Sequence, residues 1–126
     1  MYPFWEQAYN LEDVARVVAM RVIARKTLQR FVDSLQGSKD PKAVKAEVDS
    51  WFHEARQAEW KNPAEVLKAY GNASIVGSDR VVFNIEGNDY WLVVAIHYRL
   101  QIVFIKWLGS TAEYHKIDVK TVNYGN

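Results

Sequence analysis

The 126-residue chain contains no cysteine. That excludes disulfides, thiolate metal sites and a cysteine nucleophile, and a cytoplasmic location fits it. Long apolar runs are absent as well. The longest, such as Trp91 to Ile96, are strand-length and well short of the roughly 18–20 residues needed to span a bilayer. The N-terminus has no basic start and no continuous apolar block, and it carries Glu6 and Glu12, so it does not read as a signal peptide. Net charge is nearly missing, at +1. A global basic field of the kind usual in nucleic-acid binders is therefore excluded, and any surface for a polyanion must be a local patch. Residues 20–61 hold nine Lys/Arg against six Asp/Glu, whereas residues 1–19 hold one Arg against three acids. His53, His97 and His115 lie far apart, with no His-x-x-x-His or acid-rich ligand spacing to suggest a metal. Neither a Gly-rich phosphate loop nor a Gly-x-Ser-x-Gly elbow occurs.

What the chain does have is apolar and aromatic bulk. Hydrophobic residues make up 49%, with five Trp, seven Tyr and five Phe, enough for one domain with a real core. Residues 1–19 read as an appendage to a domain over 20–126. Asn10 can cap a helix bearing Leu11, Val14, Ala15 and Val18 on one face. That segment is either a genuine extra helix or an over-extended reading frame, because Met20 opens a strand-like unit, Met20 to Ala24. Residues 26–35 have helical spacing through Leu28, Phe31, Val32 and Leu35. A breaker at Gly37, Ser38, Asp40 and Pro41 follows. The next helix is expected from Pro41 to about Trp60. Its stripe is Val44, Val48, Trp51, Phe52 and Ala55, and its solvated side is Lys42, Lys45, Glu47, Asp49 and Glu54. Asn62-Pro63 stops it and begins a short turn to Tyr70.

From Ala73 the hydrophobic period becomes two. Strands are expected at Ala73–Val76, Arg80–Ile85, Tyr90–Tyr98 and Ile102–Leu108, with Gly109 ending the run. The links Gly77-Ser78-Asp79, Glu86-Gly87-Asn88-Asp89 and Arg99-Leu100-Gln101 are short and turn-forming, so the strands form an antiparallel meander. A strand, then helices, then a meander and a short C-terminal helix make an α+β domain. Alternation puts Val81, Phe83 and Ile85 toward the core, together with Leu92, Val94 and Ile96. The simplest register leaves Arg80, Asn84, Trp91 and His97 on an open face.

Ser110-Thr111-Ala112-Glu113 has capping-box spacing, and Tyr114, His115 and Lys116 follow it. RNA cleavage by protein groups needs this combination. A base takes the ribose 2′-OH proton, an acid protonates the leaving 5′-oxygen, and a cation holds the charge that develops on phosphate. Histidine is the natural proton carrier near neutrality. Glu113 is equally read as a helix cap and Tyr114 as a core aromatic.

The run Arg80-Val-Val-Phe-Asn84-Ile resembles the HigB-type toxins of the RelE superfamily. So do Gly87-Asn88, Ile105 to Gly109, Ala112-Glu113-Tyr114 and Lys116-Ile117-Asp118. Ala64-Glu65 and Ala73 to Gly77 fit as well, and the likeness runs in order from about Met20 to Asp118. It implies the small RelE-like α+β fold and cleavage of mRNA, typically on the ribosome, without a metal or other cofactor. It also implies silencing by a cognate helix-turn-helix antitoxin. On this reading Arg80, Glu113, Tyr114, His115 and Lys116 are the catalytic candidates. Asn84, Trp91, His97 and Lys106 are the RNA-contacting ones.

Two positions depart from the family pattern. Gly-Thr-His-x-Glu-Tyr-Asp stands here as Gly109-Ser110-Thr111-Ala112-Glu113-Tyr114-His115, so the usual His is Thr111 and the usual Asp is His115. One helical turn separates 111 from 115, so His115 either supplies the missing imidazole or is incidental. Asp89-Tyr90-Trp91 replaces Lys-Tyr-Arg, and Trp91 either stacks on a base or packs. Three functions share the expected fold: a ribonuclease, a non-nuclease toxin resembling ParE-like gyrase poisons, and a weakened protein that only binds its antitoxin.

Overall fold

The structure, a computed structural model, describes residues 20–23, 25–34, 41–85 and 89–123. The expectations for residues 1–19, for Leu35 and the breaker through Asp40, and for the Glu86-Gly87-Asn88 link lie outside the described residues. Within them the chain runs β1 (Arg21–Ile23), α1 (Arg25–Ser34), α2 (Pro41–Gln57), α3 (Pro63–Ala69), β2 (Ser74–Val76), β3 (Arg80–Ile85), β4 (Tyr90–His97), β5 (Ile102–Ser110) and α4 (Thr111–Tyr114). The class is α+β, as expected.

The five strands form one sheet in the order β1-β5-β4-β3-β2. Consecutive strands β2 to β5 pair antiparallel, which is the predicted meander, while β1 lies parallel to β5 at the edge. A parallel pair needs a long crossover, and α1 to α3 with the first three meander strands supply it. The helices cover one face. Val44, Val48, Trp51, Phe52 and Ala55 of α2 are all buried there, beneath Val81, Phe83, Ile85, Leu92, Val94 and Ile96 of the sheet. The α2 stripe is thus core, as its spacing indicated. Phe83 is 2% exposed and packs its ring against Trp51 at 5.4 Å, Trp60 at 6.2 Å and Tyr70 at 5.0 Å.

Boundaries differ from expectation where capping and pairing outrank pattern. Helix α2 stops at Gln57, and Trp60 is buried beyond it in irregular chain. Asn62 caps α3, its side chain accepting from the Glu65 N–H at 3.1 Å, with Pro63 in the first turn. β4 ends at His97 rather than Tyr98. Gly109 does not end the meander, because Gly109 pairs with Trp91 and Ser110 with Tyr90. The β4–β5 turn needs Gln101 at φ 56, a left-handed conformation uncommon for a residue with a Cβ. Its side-chain amide donates to the Trp60 and Tyr98 carbonyls, each at 2.7 Å, which holds it there.

Candidate functional site

Cross-strand pairs share a face, so the register defines the side of the sheet away from the helices. The pairs Arg80 with Ala95, Val82 with Val93 and Asn84 with Trp91 place these residues together, and His97 follows by alternation. That is the grouping the sequence suggested. On β5 the alternation breaks. Val93 pairs with Trp107 but Val94 with Ile105, so Lys106 is an extra residue in a β-bulge. Ile105 and Leu108 belong to the core cluster. Phe104, Lys106 and Trp107 therefore all fall on the far face, two of them consecutive in sequence.

At one end of this face the chain turns into α4. Ser110 accepts the Glu113 N–H at 3.3 Å, and Glu113 Oε1 in return accepts the Ser110 N–H at 3.2 Å, a complete capping box. Capping thus engages the carboxylate of Glu113, as the first of its two readings had it. The box fixes Tyr114, whose ring stacks on Trp91 at 4.8 Å and 13° and lies 6.2 Å from Trp107. Trp91 also donates its indole N–H to Thr111 Oγ1 at 2.8 Å, tying the sheet to the start of the turn. Trp91 is therefore a packing plate for Tyr114 on that ring face. Burial raises the pKa of Tyr114 above the usual phenol value, so the group remains a proton donor well past neutrality. The ring of His115 is 6.0 Å from that of Tyr114, and the side chains of His115 and Lys116 are exposed.

The face is less open than the sequence suggested, because residues 119–123 return against it. Arg80, expected to meet phosphate, is only 9% exposed. Its Nη1 donates to the carbonyl oxygens of Val119 at 3.1 Å and Val122 at 2.8 Å. A guanidinium on a strand start satisfies carbonyls of a returning tail as readily as it would a phosphate, and that tail is invisible to strand patterning. Lys106 reaches Asn123 Oδ1 at 3.5 Å and lies over the Phe104 ring. His97 is exposed, and its Nδ1 accepts the Leu100 N–H at 3.2 Å. Arg80, His97 and Lys106 border a cavity of about 270 Å³ floored by Ala95 and Phe104. Asn84 instead borders a cavity of about 220 Å³ shared with Glu47, Glu54 and Tyr70 of the helical layer.

The structure thus brings Trp91, Tyr114 and His115 together at one end. Arg80, His97 and Lys106 meet at the other, about 13 Å away for four strand residues. Trp107 was missed in the sequence. Its signal was the spacing of the buried residues Val103, Ile105 and Leu108, which slips from two to three. Among the described residues no three His, Asp or Glu side chains gather as metal ligands would. No described helix is long and apolar enough to cross a membrane.

No curated protein matches the chain. A family model described as HigB_toxin, the RelE-like toxic component of a toxin–antitoxin system, matches residues 44–117, more than half of the sequence. The matched span runs from the first buried turn of α2 through the meander to the end of the Tyr114–Lys116 turn. Most of the core, strands β2 to β5 and the Tyr114–Lys116 turn therefore fall within it, while β1 and α1 precede it. The chain belongs to the HigB-type, RelE-like toxins, whose partner is an antitoxin.

Proposed function

We propose that this toxin is an endoribonuclease that inhibits translation by cutting mRNA, on the ribosome, with its own side chains as acid and base. The observation that carries this is the capped turn, which sets Tyr114, His115 and Lys116 beside the aromatic end of the sheet. In the proposed step the ribose 2′-oxygen attacks the adjacent phosphorus and the bond to the 5′-oxygen breaks. That leaves a 2′,3′-cyclic phosphate and a 5′-hydroxyl. His115 moves the proton, Tyr114 donates to the leaving oxygen, and Lys116 holds the charge on the phosphate. Glu113 caps the helix, and Arg80 anchors the tail that follows the site. The domain of residues 20–126 acts in the cytoplasm, and its antitoxin is a helix-turn-helix protein.

The test is single-turnover cleavage of ribosome-bound message. Proton-transfer groups contribute about 10²–10⁴-fold. His115→Ala is expected to slow cutting within that range with antitoxin binding intact. Equal rates would remove His115 from the mechanism. A second reading, a toxin that arrests growth without cutting RNA, draws on Glu113 and Arg80 being engaged in structural hydrogen bonds. Growth arrest with no new mRNA ends would establish that reading over the first.

A further inference from the structure

The bulge in β5 sets two unlike side chains next to each other on one face. In a regular strand Lys106 and Trp107 would point to opposite sides. Here Ile105 and Leu108 enter the core, and both intervening residues face away from it. A flat aromatic surface and an ammonium one residue apart match the two recognisable parts of a nucleotide, a base and its phosphate.

The surroundings hold the pair in a usable posture. The six-membered ring of Trp107 lies against Gly109. A Cβ there would meet it at 2.4 and 2.5 Å, so the indole is laid along the strand because residue 109 has no side chain. Tyr114 stands beside it at 6.2 Å and 43°, a tilted wall rather than a parallel cover. Trp107 therefore stays half-buried, and Tyr114 does not stack flat on it. Trp91, by contrast, has Tyr114 parallel on it at 4.8 Å. Lys106 makes a long contact to Asn123, lies over the Phe104 ring at 5.4 Å, and borders the cavity of about 270 Å³ that continues along the face toward His97.

We infer that Lys106 and Trp107 form a nucleotide-binding step for single-stranded RNA. The Trp107 indole stacks a base, purine in preference because of its larger π-face, and Lys106 takes the neighbouring phosphate. The step rests on the ribonuclease reading and adds a specificity-determining residue to it. It positions the chain so that the next linkage reaches Tyr114 and His115. Asn123 gives up its contact with Lys106 when the phosphate arrives.

The experiment uses the full chain and two measurements. The first is binding of a 2′-O-methyl hexaadenosine, which lacks the attacking hydroxyl, followed by tryptophan fluorescence across a salt series. The second is cleavage of ribosome-bound message. Trp107→Leu is expected to weaken binding about tenfold or more and Trp107→Tyr to restore most of it, since loss of a base–aromatic stack is sequence-tolerant but ring-dependent. Lys106→Gln is expected to lower the salt slope by about one phosphate's worth. Both variants should raise KM more than they lower kcat. Cleavage by Trp107→Leu and Lys106→Gln at wild-type KM and kcat would overturn the inference and leave the ribonuclease reading standing. A wild-type chain that cuts message without binding the oligonucleotide would likewise overturn the inference alone, and failure of the wild-type chain to cut message would overturn both.

Discussion

Replacing Arg80 by Met tests its place as tail anchor against the phosphate contact expected from the sequence. The guanidinium donates to two backbone carbonyls, of Val119 and Val122, and its Nε has no partner among the described residues. Two hydrogen bonds from a charged donor contribute about 1.5–3 kcal/mol each, or about 3–6 kcal/mol together. Methionine fills much of the volume and removes the buried orphan Nε, which recovers about 1–3 kcal/mol. The difference of the mid-range values, about 2–3 kcal/mol, falls on docking of the tail rather than on the sheet. At 1.4 kcal/mol per factor of ten this opens the tail about 30- to 140-fold more often. The Thr121 and Val122 amides, both bonded to the Asp118 carbonyl, report it directly. Native-state hydrogen exchange is expected to speed up at these two amides by that factor and to stay unchanged in the middle of β4. Unaltered exchange at Thr121 and Val122 would refute the anchoring argument. Loss of RNA cleavage with that unaltered exchange would return Arg80 to the phosphate.

Phe83→Ala removes a ring held among Trp51, Trp60 and Tyr70 and is expected to destabilise the domain by about 3–5 kcal/mol in urea denaturation. An unchanged midpoint would mean that the packing of this face is misassigned. Gly109→Ala places a methyl inside contact distance of the Trp107 ring, and the indole must swing away. About 1–3 kcal/mol of stability and the Trp107–Tyr114 part of the near-ultraviolet dichroism are expected to go with it. Tyr70, Tyr98 and Tyr114 all have raised pKa values. Burial is the first cause in each, joined at Tyr70 by its hydrogen bond to Glu54 and at Tyr98 by the charge of Asp79. The unfolded chain loses these protons near pH 10 while the folded one keeps them. Their contribution is full below about pH 10 and is lost as pH rises from there through the folded values. The thermal midpoint is expected to fall steeply above about pH 10, less so in Tyr70→Phe, and parallel curves for the two proteins would contradict the burial argument.

Local chemistry was enough to write much of this protein from its sequence. The stripe from Val44 to Ala55, the turn opened by Asn62-Pro63, the box from Ser110 to Glu113 and the period-two strands are short-range patterns. Each is set by backbone geometry and by which side must leave water, so each was legible and each recurs in the structure. The ordered run from Arg80 to Asp118 also carried the resemblance to the HigB-type toxins. Three features of the site were decided elsewhere. The edge pairing of β1 with β5 joins residues some eighty apart in sequence, and no local signal encodes it. The bulge at Lys106 depends on how β4 and β5 slide past each other, and that shift puts Trp107 on the same face as Lys106 and beside Tyr114. The burial of Arg80 comes from a tail that returns across the sheet, contacts made at separations of 39 and 42 residues. A side chain's partners at such distances follow from how layers pack, and a one-dimensional pattern does not contain that information.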